Sequence, residues 1–247
     1  MIRPGSAIRL GFAAALLVAG CAAPAPSATS PATPSPSPIA TPSPRPTPSP
    51  SPTPPSSAPA GTAYVDVPEA GIRLPVPLGW ASLGAAALAD PAVLDALPAT
   101  YPGSGALLAA IDELGGRAEP VFLAADPSPA SLAGPLASNL SVLVSQPSVG
   151  GFLLDFVAGF IADGLGGALG ATGEPARDRV QLPAGEAVRL RYAIPAAGGE
   201  EIVAVAWVIG APAGTLLVTL MGTGSALGEL DSDAIARAIV PVVDDAP

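Results

Sequence analysis

The one thiol in this chain is Cys21, and it stands directly behind Leu17-Val18-Ala19-Gly20. Apolar and then small residues leading into a cysteine form a lipobox pattern. It implies cleavage between Gly20 and Cys21 and acylation of the new N-terminal cysteine. Arg3 and Arg9 supply a positive leader, and Leu10 to Ala19 is an apolar run of ten residues. That is about half of the ~20 residues needed to span a bilayer, so the run reads as the core of a signal sequence. One acyl chain, at about 0.8 kcal/mol per buried CH₂, binds a membrane reversibly, whereas two or three on one cysteine hold firmly. A single cysteine also excludes an intramolecular disulfide and any cysteine-cluster metal site.

The remaining chemistry is sparse. The chain has no histidine, and its ten basic residues are all arginine. Without imidazole there is no Ser-His-Asp triad and no His metal ligand, and without lysine there is no Schiff base. Arg, Ser, Thr, Tyr and carboxylates remain, and carboxylate pairs such as Asp112-Glu113 and Glu200-Glu201 could still run general acid–base catalysis, as in glycoside hydrolysis. Both pairs read more simply as solvated surface. Asp231-Ser232-Asp233 offers oxygen ligands for a hard cation, but capping of a helix explains it with fewer assumptions. Gly222 to Gly228 follows a strand as a dinucleotide loop would, yet only 19 residues remain after it, too few for a second parallel strand. Gly164 to Gly170 ends a helical pattern instead of opening one. Asn139-Leu140-Ser141 has the form of a glycosylation triplet but falls in a strand. The expectation is a protein without catalytic residues, metal or cofactor.

Charge is distributed unevenly. All twenty acids lie beyond residue 60, against seven arginines, so this part carries a net charge of −13. A field of that sign repels phosphate backbones, which argues against a nucleic-acid partner. Between Pro24 and Ala60 there are fifteen prolines, nine serines and five threonines. Proline lacks an amide hydrogen and disfavours helix in the residue before it, so residues 21–60 read as a disordered, extended tether. Its reach is on the order of 100 Å. The organisation expected is a lipoprotein signal peptide over 1–20, anchor and linker over 21–60, and one domain over 61–247, on the extracytoplasmic face of the cell membrane.

In the domain, short β patterns alternate with a few helices. Tyr64 to Val67 and Ile72 to Val76 predict strands, the second placing Ile72, Leu74 and Val76 on one face. Asp90 before Pro91 predicts a helix start. Leu107 to Leu114 is a further helical piece. Strands follow at Pro120 to Ala125 and at Asn139 to Ser145, the latter with Leu140, Val142 and Val144 inward. Val188, Leu190, Tyr192 and Ile194 alternate with Arg189 and Arg191 in a half-buried strand. Ile202 to Ile209 is apolar on both faces, as a central strand would be. Thr215 to Met221 follows a tight turn. Asp231 then caps a last helix carrying Ile235, Ala238, Ile239 and Val242 as one stripe. Short turns between consecutive strands imply antiparallel pairing, and the distribution of helices implies cover on both faces of the sheet. The fold class expected is α+β, a mainly antiparallel sheet sandwiched between helices.

The run Val67-Pro68-Glu69-Ala70-Gly71-Ile72-Arg73-Leu74-Pro75-Val76-Pro77-Leu78-Gly79-Trp80 resembles the opening of PsbP-like and LpqN-type domains. The strand Asn139-Leu140-Ser141-Val142 and the hairpin Leu182-Pro183-Ala184-Gly185-Glu186-Ala187-Val188-Arg189-Leu190 are similar to later parts of the same domains. The resemblance implies an α-β-α sandwich with a non-catalytic role in binding or assembly. It departs in the Ala-rich stretch 84–118 and in the glycine-interrupted helix.

That helix, Gly151 to Leu169, carries Phe152, Phe156 and Phe160 at i, i+4 spacing, three of the five phenylalanines in the chain. Leu153, Val157, Ile161 and Leu165 widen the apolar face, with Asp155 and Asp163 left to solvent. Two readings stand side by side. Either the helix is laid on the sheet as core, or its rings face an apolar ligand or an envelope protein partner. Glycines at 159, 164, 166 and 167 each weaken a helix by about 1 kcal/mol relative to alanine, which would suit a movable flap.

Overall fold

The computed structural model describes residues 57–105, 108, 118–171, 173–196 and 199–242. They belong to one compact unit, Pro48–Pro247. Gly20, Cys21, most of the proline-rich segment, the helical piece Leu107 to Leu114 apart from Leu108, and with it the pair Asp112-Glu113 lie outside the described residues.

The chain opens with a hairpin of β1 (Thr62–Val67) and β2 (Ile72–Pro77), joined by a 3₁₀ turn at Pro68–Ala70. Next come β3 (Ala81–Gly84), a single turn α1 (Ala85–Leu88) and α2 (Pro91–Thr100). The middle holds β4 (Ala118–Ala125), the short α3 (Pro129–Leu132), β5 (Asn139–Ser145) and the long α4 (Phe152–Leu169). Four strands follow in a meander, β6 (Ala176–Leu182), β7 (Gly185–Pro195), β8 (Glu201–Ala211) and β9 (Gly214–Thr223). The short helices α5 (Gly224–Gly228) and α6 (Ser232–Arg237) and the two-residue β10 (Val240–Pro241) close the order.

Among the described residues the strands form two sheets. The larger runs β3-β4-β5-β9-β8-β7-β6 and the smaller β1-β2-β10. Every pairing is antiparallel; β6 to β9 form a meander, and the segment through α4 carries the chain from β5 to the far edge, so that β9 returns beside β5. Pro120 cannot donate to a ladder, and the register of β4 shifts between Pro120 and Phe122. The edge strand β6 presents Arg177, Asp178 and Arg179, and charged side chains of this kind keep an edge from pairing with another chain.

The fold class is the α+β one expected, with the large sheet as the middle layer. Its two faces are covered differently. On one face Ile161, Leu165 and Leu154 of α4, with Leu88 and Leu97 of α1 and α2, cluster with Leu143, Leu190, Val208 and Leu217. On the other, Ile72, Leu74 and Val76 of the small sheet and Ile235 of α6 cluster with Val142, Trp207, Val218 and Leu220. A small sheet therefore does on that face what helices alone were expected to do. Double cover also changes the reading of β5. Leu140 and Val142 point to one core, but Leu143 is equally buried in the other.

The helix starts are set locally. The Asp90 carboxylate accepts from the Ala92 N–H at 2.9 Å, and Asp231 accepts from the Ala234 N–H at 2.9 Å. Each satisfies a donor that the first turn leaves open. The last helix is shorter than its apolar stripe predicted. It stops at Arg237, and Val240–Pro241 instead pairs with Ile72 and Arg73 of β2. Val242 N–H donates to the Gly71 carbonyl at 3.0 Å. An i, i+3, i+4 stripe cannot distinguish a helix from a turn that enters a strand when all its side chains reach the same core.

Candidate ligand-binding site

α4 runs unbroken through its four interior glycines, from Phe152 to Leu169. Propensity alone weakens such a helix, but tertiary burial of one face outweighs it. That face is Leu154, Ala158, Ile161, Ala162 and Leu165, all buried, and it lies on β7 and β8. The Tyr192 hydroxyl of β7 donates to the Ala162 carbonyl at 3.2 Å beneath it. Burial pushes the Tyr192 phenol above its ordinary value of 10.0, so it stays a donor throughout the physiological range.

At 100° per residue, Phe156 sits about 200° around the helix from Leu154, on the opposite side. The phenylalanines are accordingly not core. Phe152 is 79% exposed, Phe156 73% and Phe160 53%. The apolar face drawn from the sequence is thus two faces. Leu165 and Ile161 turn into the core, and the rings turn out.

Between them is a cavity of about 400 Å³, within the range of small-molecule pockets. Its helix wall is Phe156, Val157, Phe160 and Ile161, and its floor is Leu143 and Ser145 of β5 with Thr215 and Leu217 of β9. Ser145 pairs with Thr215 and Leu143 with Leu217 across the two strands, so alternation delivers all four to the same face. Ala118 of β4 completes the lining. Among the described residues no charged side chain lines it. The Thr215 hydroxyl is already engaged, donating to the Pro147 carbonyl at 2.9 Å and accepting from Val149 N–H at 3.1 Å. One row deeper, Ser141 and Thr219 face each other across β5 and β9, and neither hydroxyl oxygen has a hydrogen-bond partner among the described residues. Buried polar atoms of that kind cost about 1–3 kcal/mol each, which packing alone would have removed.

The N-terminal end of α4 is clamped to the β6–β7 hairpin. Arg179 of β6 bonds both carboxylate oxygens of Asp155, donates to the Gly151 carbonyl at 2.8 Å and pairs with Glu186 of β7. Glu186 in turn accepts from the Gly151 N–H at 3.0 Å. Gly151 has φ +59°, a left-handed conformation that a side chain would strain. Asp155 is therefore not simply a solvent-facing acid, as the helix pattern implied, but half of an interelement pair.

Hydrogen bonding from the Arg179 guanidinium holds the Asp155 carboxyl below its ordinary 3.8. A carboxylate with a lowered folded-state value adds stability above the unfolded value and loses it as pH falls through the folded one. Amide protection at 152–156 is therefore expected to stay constant from pH 8 to about pH 5 and to fall only in stronger acid. Arg179→Ala should remove the excess protection at neutral pH and flatten that acid dependence. Hydrogen-exchange protection factors at the two pH extremes check this. Equal factors in the two proteins would show that the clamp does not hold the helix.

The other residues singled out in the sequence are placed as follows. Glu200 is exposed and accepts from the Ser225 hydroxyl at 3.1 Å, and Glu201 begins β8 at the surface. Asp231 caps α6, and Asp233 pairs with Arg189 at 2.5 Å. Gly222 to Gly228 leads into a helix of only five residues, with Thr223 Oγ1 as its cap. Asn139 is 5% exposed within β5, out of reach of a glycosylating enzyme. Among the described residues no group of three acidic, histidine or cysteine side chains is placed to hold a metal ion. Two other hollows, of about 340 and 320 Å³, adjoin the Glu200–Glu201 turn. Glu174, Arg191 and Glu201 on the first and Glu200 and Glu201 on the second give them a charged rim.

Fold and site define an α+β domain with an apolar groove beside an outward-facing aromatic stripe. No family model matches the chain, and a search of curated proteins finds no match. Among solved structures the chain is similar to the solution structure of cyanobacterial PsbP (CyanoP) from Synechocystis sp. PCC 6803. The identity is 12%, the match covers 76% of this chain and 97% of that one, and the TM-score is 0.44.

Proposed function

We propose that this protein is a lipid-anchored lipoprotein of the extracytoplasmic membrane face, related in kind to the PsbP-like and LpqN-type domains, whose domain binds an apolar ligand without catalysis. The observation that carries the binding reading is the groove under α4. It has the volume of a ligand site, an apolar helix wall, a floor that pairs Leu143 and Leu217 with Ser145 and Thr215, and no charged side chain among the described residues that line it. A lipid or glycolipid whose chain enters the groove and whose head stays in water fits that lining. The lipobox at Cys21 supports the anchor, and the proline-rich segment supports a domain held away from the bilayer.

One experiment reads both parts. The protein is purified from its own envelope and weighed intact under denaturing and then native conditions. Acyl mass on the N-terminal peptide that begins at Cys21 is expected in the first spectrum, and an additional non-covalent lipid in the second. Ala118→Phe, which places a ring in the groove, should abolish the non-covalent mass and leave the covalent mass intact. A bare sulfur overturns the anchor. A native spectrum free of lipid in the wild type, or unchanged by Ala118→Phe, overturns the carrier reading.

A further inference from the structure

The groove accounts for Phe156 and Phe160, which line it, but not for Phe152 or Leu153, which do not. Phe152 is the most exposed of the rings at 79%, and Leu153 is 46% exposed. Two large apolar side chains thus extend the row of Phe156 and Phe160 along the outside of α4, past the end of the groove. Among the described residues α4 is the one helix long and apolar enough to cross a membrane, with mean hydropathy 1.6 over 18 residues. It cannot span one without tearing Leu154, Ala158, Ile161, Ala162 and Leu165 from the sheet. What remains is a helix fixed by one face and offering the other, the arrangement of a helix that lies in the plane of a bilayer surface.

We propose that the outer face of α4, through Phe152, Leu153, Phe156 and Phe160, docks the domain onto the lipid bilayer itself. Two observations favour lipid over other occupants, and a third fixes which lipid. The chain outside the described residues runs back through the tether to Cys21, so a bilayer is within reach of the domain whenever the sulfur is acylated. The face is mostly apolar, and α4 has no basic residue of its own; Arg177, at Gly159, and Arg179, at Asp155, reach its margin from β6. Its acids are Asp155, engaged by Arg179, and Asp163, exposed on the same side as the rings. Finally, the part of the chain beyond residue 60 has a net charge of −13, so docking opposes any anionic headgroup and favours a neutral one. This fixes an unusual signature. Binding should be strongest on zwitterionic lipid, weaken as anionic lipid is added, and recover with salt, the reverse of a polybasic anchor.

The test uses residues 21–247 with Cys21→Ser, which removes acylation and retains the whole compact unit. Both core clusters lie between Val67 and Ile239. Co-sedimentation with phosphatidylcholine vesicles is expected, with a loss of about tenfold per ring for Phe152→Ser, Phe156→Ser and Phe160→Ser. These side chains are exposed, so thermal melting should not change, and a variant that melts early is replaced by the corresponding alanine variant, which keeps helix propensity while removing the ring. Phe152→Ser separates docking from the groove, because it should weaken vesicle binding while lipid retention persists. Ala118→Phe should do the opposite. No binding to phosphatidylcholine, binding that rises with phosphatidylglycerol, equal binding by the ring variants, or a dimer that forms through this face and excludes vesicles each overturns the proposal.

Discussion

Trp207→Ala is expected to lower folding stability by about 3–5 kcal/mol, the largest single loss in this domain. Trp207 is 1% exposed and sits on β8, opposite Arg189 of β7 and Val218 of β9. It belongs to the layer between the two sheets, with Ile72, Leu74 and Val76 on the other side. Aromatics are only 4% of this chain, so this core is built mainly from Ala, Val, Leu and Ile, and close-packed side chains relax only partly into an indole-sized hole. Urea unfolding of residues 21–247 measures the loss, which should move the midpoint by roughly 1–3 M. The α4 face should keep its lipid behaviour below the transition, because Trp207 points away from the groove. A loss under ~1 kcal/mol would mean that the small sheet closes onto the gap, and that the two sheets are loosely joined.

Gly210→Ala should cost about 1–3 kcal/mol and disturb the groove directly. Gly210 is near the end of β8, where a methyl group would stand 2.2 Å from the Val149 carbonyl oxygen and 3.3 Å from its carbon. Both obstacles are backbone, so no side-chain rotation relieves the clash. Val149 belongs to the segment that leads into α4, and its N–H is held by Thr215 of the groove floor. Moving it shifts the start of α4, and with it the clamp at Gly151. The expected result is a lower melting temperature, together with reduced amide protection at 151–156 and weaker lipid retention. Alanine tolerated with no change in any of the three would show that the segment yields freely and does not position the helix.

Much of the strand plan was readable in advance. β5 and α4 begin and end where hydrophobic period and flanking glycines placed them, and β8 declared itself central by being apolar on both faces. Those signals are local, since they depend on side-chain period and on turn residues. The caps at Asp90 and Asp231 were legible for the same reason. β3, β6 and β10 were not. β6 reads Ala-Arg-Asp-Arg-Val-Gln-Leu, with no apolar alternation, and it is a strand because β7 supplies a complete ladder. β10 has only two residues and exists because β2 lies beside it.

The amino-acid order alone determined the run of apolar and small residues before Cys21, the proline-rich composition of residues 24–60, the acidic field, the absence of histidine and lysine, and the spacing of Phe152, Phe156 and Phe160. Tertiary structure decided which way those rings point. A 3.6-residue period describes a stripe but not its neighbour, and α4 has apolar residues around most of its circumference. The sheet buried Leu154, Ala158, Ile161, Ala162 and Leu165 because their small and branched side chains pack flat on β7 and β8. That choice left the bulkier rings outside, beside a groove whose floor pairs, Ser145 with Thr215 and Leu143 with Leu217, are about 70 positions apart in the chain.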